Sequence, residues 1–259
     1  MNGFLTRDGI SPAEFSAAAR KDLAAYREVK FLEAQVEAVT RTADGSLLVS
    51  CDRGRSGLCR KLLIATGLFD TLPAVPGMAE FFGNGVFQCP YCDGWEVRAK
   101  RLVAYGSRRR GYEMARALTA WSSNVVLCSD GPCGLDAVER RALARNRIAI
   151  VETPIDRLIG EAGKLAGIAF KARQAFQCDA LFFDTPSRQQ CNIAQLAGCD
   201  FTRDGGVRCD RFFESSARGV FVAGNMTRDV ELSIVAAAEG AKAAFAINRA
   251  LTREDFGPP

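Results

Sequence analysis

Two cysteines, Cys89 and Cys92, enclose Pro90 and Tyr91 in the run FQCPYCDGWEV, and an acid, Asp93, follows the second. Sulfurs at this spacing have three readings. As half of a structural zinc site they need two further ligands, usually from a second such pair. The chain has no second Cys-x-x-Cys and no histidine, and Cys51 with Cys59, Cys128 with Cys133 and Cys191 with Cys199 are poorly spaced for the purpose. They can also be two ordinary thiols. The third reading is a redox dithiol, and the flanks favour it. Pro90 stiffens the intervening turn, and Asp93 places a carboxylate where thiol–disulfide exchange has a proton to move. The thiolate is the reacting form, so local positive potential would lower the relevant pKa.

The absence of histidine removes Ser-His and Cys-His catalysis as well as mixed Cys/His zinc sites. The 259 residues carry 34 basic and 30 acidic side chains, a net charge of +4. The basic residues are scattered apart from Arg108-Arg109-Arg110 and Arg140-Arg141, so no nucleic-acid partner is expected. The opening MNGFLTRDGISPAEF has no long apolar run, and the apolar-rich stretch Ile234 to Ile247 is broken by Glu239 and Lys242. A membrane or secretory role is therefore not expected, and the expected location is cytoplasmic. There the ten cysteines are kept as thiols and form no disulfide framework.

The elements that must position the pair read as follows. Ser11-Pro12-Ala13-Glu14 is a capped helix start, with a helix to about Tyr26. VKFLEAQVEAVTRT and SLLVSCD read as strands about an Asp44-Gly45 turn, and CRKLLIATG as a buried strand ending in Ala65-Thr66-Gly67. From Arg101 to Cys128 the pattern is a βαβ unit: a strand to Tyr105, a helix over about Gly111–Ser122 and a strand over Asn124–Cys128. A helix near Leu135–Asn146, short strands including ALFFDTP, and a strand RGVFVAGNM follow. The last helix, about Val230–Leu251, sets Ala237, Gly240, Ala241 and Ala244 along one face, for tight packing or for room beside a ligand. Cys51, Cys59, Cys128 and Cys178 are expected to be buried, Cys133, Cys191, Cys199 and Cys209 to be exposed, and Tyr91 and Trp95 to be packing residues, with a substrate surface beside the pair as the alternative.

Five segments together resemble the thioredoxin reductase-like flavoproteins. They are NGFLTRDG (2–9), KLLIATGLFDTLPAVPGM (61–78), VFQCPYCDGWEVR (86–98), GVFVAGNM (219–226) and AAAEGAKAAFAINRAL (236–251). The likeness is strongest to the bacterial and fungal Cys-Pro-x-Cys branch that includes dithiol oxidases of the gliotoxin and holomycin pathways. It implies an α/β fold with two Rossmann-like domains that bind FAD and NAD(P), the first of them split in sequence. The FAD domain would be about 1–83 with 207–259, and the NAD(P) domain about 84–206. It further implies electron flow from NADPH or NADH through FAD to a Cys89–Cys92 disulfide. From there electrons would reach a thioredoxin-like protein or a small-molecule disulfide or dithiol, in a homodimer. By position Cys92 is the flavin-side sulfur, Cys89 the exchange thiol and Asp93 the acid/base. The cofactor contacts carried over are Ala65, Thr66, Gly67, Gly106, Gly111, Gly224, Asn225 and Glu239. Metal is not expected.

Three departures qualify this. The family's first strand–GxGxxG–helix unit has no counterpart upstream of NGFLTRDG, so FAD is expected to bind weakly or not at all. In GSRRRG (106–111) the middle glycine position holds Arg108, which is expected to obstruct the dinucleotide; the alternative is that Arg108–Arg110 pair with its phosphates. Asp130 stands where an acid could bind a ribose hydroxyl, with a solvated loop acid as the bland alternative. Asn225 replaces an aspartate and gives up a charge-assisted bond to the flavin side chain. Asp93 resembles thioredoxin reductase itself, since the Cys-Pro-x-Cys branch often has histidine there. Two other outcomes stay open: a dithiol oxidase using oxygen, and a non-catalytic protein without FAD.

Overall fold

The computed structural model describes residues 1–257. The chain divides into two compact units, Met1–Phe69 with Ser187–Pro259, and Asp70–Pro186. The crossings between these units fall at 69/70 and 186/187; the expected cofactor-domain limits are 83/84 and 206/207. Both offsets have a packing cause. Val75, Met78 and Phe81 lie in the core of the second unit, and the Leu158 N–H donates to the Pro76 carbonyl at 2.8 Å. Burying side chains of that size stabilises by roughly 1.5–3 kcal/mol each, enough to hold residues 70–83 there. Likewise Ile193, Ala194 and Cys199 belong to the core of the first unit.

The first unit opens with α1 (Pro12–Leu23), whose Ser11 and Glu14 form the predicted reciprocal cap. No residue of α1 is buried. The strand foreseen from residue 29 is confined to β1 (Val36–Arg41), which pairs antiparallel with β2 (Leu47–Cys51), and β2 pairs with β3 (Ser56–Cys59). β4 (Leu62–Ile64) and β5 (Leu68–Asp70) follow.

In the second unit come β6 (Val86–Phe87), the one-turn helix α2 (Pro90–Asp93), β7 (Leu102–Tyr105), α3 (Arg108–Leu118), β8 (Val125–Cys128), α4 (Ala137–Arg145) and β9 (Ala149–Val151). An antiparallel trio, β10 (Ile155–Glu161), β11 (Lys164–Phe170) and β12 (Arg173–Gln177), precedes β13 (Ala180–Phe183). The parallel sheet has the order β6-β13-β7-β8-β9. Its strands LVAY, VVLC and ALFF are near-continuous apolar runs because both faces are covered. α3 lays Met114, Ala115 and Leu118 on one face, and Ile155, Leu158, Ile168 and Phe170 of β10 and β11 cover the other.

The chain returns to the first unit through β14 (Ser187–Gln189), α5 (Ile193–Leu196), β15 (Val220–Val222) and α6 (Ser233–Phe256). β15 runs parallel to β4, and β14 pairs with β5. Of the 24 residues of α6 only Glu239 and Ala243 are buried. Tight packing of the Ala237–Ala244 face is therefore not what the helix does: Ala237, Ala241 and Ala244 are exposed.

Candidate functional site

Cys89 and Cys92 are joined as a disulfide, with Cα atoms 5.2 Å apart. The local chemistry explains the closure. Cys89 is the N-cap of α2, Pro90 occupies the first helical position with its φ preset, and the single turn brings residue 92 back over residue 89. The Cys92 N–H reaches the Cys89 carbonyl at 3.1 Å, and the Cys89 sulfur at 3.1 Å. Both sulfur-bearing residues are half-buried. Tyr91 and Trp95, expected to pack, are instead 74% and 61% exposed, and the Arg98 guanidinium stacks 4.0 Å above the Trp95 ring. Asp93 is half-buried; burial, reinforced by nearby Glu96, pushes its carboxyl up to about 6. A carboxyl titrating there can both give and take a proton near neutrality.

Sequence reading passed over two residues beneath this turn. A Cβ on Gly94 would stand 2.4 Å from the Pro90 carbonyl oxygen and 2.6 Å from the Trp121 indole nitrogen, so only glycine fits. Trp121 closes the turn from below. Glycine directly after a Cys-x-x-Cys-Asp run was the available signal for the first; nothing in the sequence marked the second.

The residues assigned to FAD lie together at the ends of β4 and β15. Ala65 and Thr66 are exposed, and the Thr66 hydroxyl contacts the Met226 sulfur at 3.4 Å. Gly67 and Gly224 both take left-handed backbone, φ +72 and +76. A Cβ on Gly67 would enter open space, while one on Gly224 would touch Ala236 of α6 at 3.5 Å. Asn225 follows in a 3-10 turn, Gly224–Thr227. These turns form a shelf bordered by the exposed Ala237, Ala241 and Ala244 of α6. Glu239 plays a different part from the contact expected of it. It is buried, 5% exposed, and accepts the Gly224 N–H at 2.6 Å, so it bolts α6 to the turn. The described residues of this unit hold no Gly-x-Gly-x-x-Gly turn for a pyrophosphate.

At the end of β7 the turn scaffold for a second dinucleotide is present. A Cβ on Gly111 would lie 2.4 Å from the Gly106 carbonyl oxygen, so the strand and α3 approach as closely as such a turn requires. The middle position does not fit. Arg108 sits at φ +52, a conformation suited to glycine. Its N–H, which a phosphate would need, donates to the Cys133 carbonyl at 2.6 Å, and its side chain lies against Gly134. Arg109 lies 3.9 Å from Glu113, and Arg110 lies 3.8 Å from Asp184. Asp130 is engaged within the unit: one oxygen accepts the Ile155 N–H at 2.7 Å and the other the Tyr105 hydroxyl at 3.4 Å. Arg108 therefore does not fit the glycine position of the usual dinucleotide turn.

Among the described residues no group of three or more histidine, cysteine or acidic side chains could hold a metal ion. Cys128 and Cys178 are buried as expected, with thiols pushed up by burial to about 12. Cys133 and Cys199, expected at the surface, are buried, and Cys51, Cys59, Cys191 and Cys209 are half-buried. No described helix is long and apolar enough to cross a membrane.

Comparison with known proteins adds to this geometry. Residues 9–240 match the model of the pyridine nucleotide-disulphide oxidoreductase family. Thioredoxin reductase tcpT of Claviceps purpurea is 30% identical over 228 residues, 84% of this chain and 71% of that protein. Among solved structures, the putative thioredoxin reductase TrxB from Bacillus anthracis superposes with a TM-score of 0.92 at 28% identity, covering 98% of this chain and 85% of that one. HlmI superposes at 0.94 and 30% identity, covering 99% and 81%.

Proposed function

The chain belongs to the pyridine nucleotide-disulphide oxidoreductase family, and on that footing we propose that it exchanges electron pairs between FAD and a substrate dithiol or disulfide through Cys89 and Cys92. The observation that carries this is the closed Cys89–Cys92 disulfide on a one-turn helix, half-buried, with Asp93 near neutrality beside it. The family is FAD- and NAD(P)H-dependent.

In the oxidising direction a substrate thiolate attacks the Cys89 sulfur. The Cys89–Cys92 bond breaks and Cys92 leaves as thiolate. The second substrate thiolate then attacks the substrate sulfur of the mixed disulfide, releasing Cys89 and closing the substrate disulfide. Asp93 takes a proton from the incoming thiol and returns it to the departing sulfur. The reducing direction is the same sequence in reverse. FAD would be held by Ala65–Gly67 and Gly224–Asn225, and when bound would supply a two-electron carrier.

We favour net oxidation of a small-molecule dithiol with oxygen as terminal acceptor, because Arg108 stands at the glycine position of the second dinucleotide turn and its N–H is taken by the Cys133 carbonyl. One feature supports the second reading, reduction of a thioredoxin-like disulfide: the acid at 93, as in thioredoxin reductase. The two separate in one assay. With the chain supplied with FAD, oxygen uptake on a small dithiol without NAD(P)H supports the first. NADPH-driven reduction of a thioredoxin disulfide with no oxygen dependence overturns it.

A further inference from the structure

The first unit carries a second polar concavity that the redox chemistry leaves unused. It is a pocket of about 530 Å³, within the range that holds small ligands, and its lining includes Arg188, Gln189, Asn192, Asp204, Gly205 and Arg228. Among the described residues three buried side-chain nitrogen or oxygen atoms lack a hydrogen-bond partner, and two of them belong to this lining: Gln189 Oε1 and Arg228 Nε. Buried polar atoms are almost always paired in folded proteins, so two on one small wall call for a cause.

Their orientations are fixed by their neighbours. Gln189 Nε2 donates to the carbonyls of Gly205 at 2.8 Å and Met226 at 3.1 Å. Only the amide nitrogen can donate twice, so the oxygen must face the other way. Arg228 sits at φ +57 and spends one Nη on the Ser187 carbonyl at 2.5 Å, which leaves Nε–H idle. The Arg188 guanidinium carbon lies 4.5 Å from the centre of the Phe69 ring, and the residue is exposed, so its N–H groups can reach a ligand. Opposite in sign stands Asp204, whose carboxylate accepts the Thr202 hydroxyl at 2.5 Å. The wall thus offers guanidinium forks for a carboxylate, and an amide oxygen with a carboxylate for a nitrogen donor.

We propose that this pocket binds a small zwitterion of amino-acid or dipeptide size. Its carboxylate replaces the Ser187 carbonyl as the acceptor of Arg228, drawing Nε–H into a two-pronged bond, with Arg188 beside it. Its nitrogen donates to Gln189 Oε1 and to Asp204. The same residues steady the flavin shelf. Gln189 holds the Met226 carbonyl, and the Arg228 N–H donates to the Asn225 carbonyl at 3.0 Å, so a bound ligand stiffens the turn that presents Asn225.

Titration calorimetry of the full chain with glycylglycine tests this, with acetate and methylammonium as one-ended controls. Saturable one-to-one binding is expected, weakened at least about tenfold by Arg228→Gln and by Asp204→Asn, with each control also at least about tenfold weaker. Asp204 lies on an exposed turn, so its substitution keeps the test decisive even where Arg228→Gln impairs folding. No saturable heat from glycylglycine, acetate binding as tightly as the dipeptide, or an Asp204→Asn protein of unchanged affinity would each overturn the proposal.

Discussion

Asp93 changes charge inside the working pH range, and its consequences can be signed. Its pKa in the folded chain, about 6, lies above the ordinary 3.8. The stability it contributes is therefore fully present below pH 3.8 and is lost as pH rises through about 6. Asp93→Asn, which cannot ionise, should raise the melting temperature more at pH 8 than at pH 5; an equal change at both would remove the perturbed acid from the account. The same substitution should slow thiol exchange by roughly 10²–10⁴-fold and erase the inflection near pH 6 in a stopped-flow pH profile. At Arg108 the left-handed backbone costs about 1–2 kcal/mol, less the roughly 0.5–1 kcal/mol of chain entropy that glycine forfeits. Arg108→Gly should thus stabilise slightly in urea unfolding, and should let NAD(P)H fluorescence respond to added protein where the native chain leaves it unchanged. A destabilised variant, or unchanged fluorescence, would show that Arg108 is not the obstacle.

The elements that hold the site depend on two contacts. Glu239 and Gly224 join α6 to the turn after β15. Glu239→Ala leaves a buried N–H unpaired and should cost about 1–3 kcal/mol in denaturant unfolding, while Glu239→Gln, which keeps an acceptor oxygen, should recover most of it. Gly94→Ala forces a Cβ onto the Pro90 carbonyl and Trp121 and should cost roughly 1–3 kcal/mol while disturbing the disulfide turn. The first of these elements was partly legible in advance. The Ser11–Glu14 cap, the βαβ pattern from Arg101 to Cys128 and the glycines at 67 and 224 rest on local rules of capping, periodicity and backbone freedom. What the sequence could not display was long-range. The Asp130 carboxylate is claimed by an N–H twenty-five residues away at Ile155, and Glu239 faces Gly224 because of how α6 lies on β15. The strand foreseen from residue 29 begins only at Val36, where β2 supplies ladder partners. Cys133 and Cys199 read as surface residues because their segments look like loops, yet both are drawn into cores by neighbours distant in sequence.

At the scale of the molecule, one unit carries the left-handed turns at Gly67 and Gly224, and the other the disulfide and the Gly106–Gly111 turn. The chain spans residues matched by a flavin-dependent family, while its first unit shows no glycine-rich pyrophosphate turn among the described residues. Added FAD is expected to bind the chain, as followed by quenching of flavin fluorescence, and Gly224→Val should weaken it; no quenching, or an unchanged affinity in the variant, would show that the turns after β4 and β15 do not hold the flavin. Everything else depends on the sulfur pair. The most direct measurement reduces the protein with a limiting dithiol, labels exposed thiols briefly with iodoacetamide and maps the peptides by mass spectrometry. One disulfide should open, with Cys89 alkylated first and Cys92 second, while Cys128 and Cys178 stay unlabelled in the folded chain. Should Cys89 and Cys92 already be labelled before reduction, or stay closed while other cysteines exchange, the pair is not the redox centre and the proposed function fails.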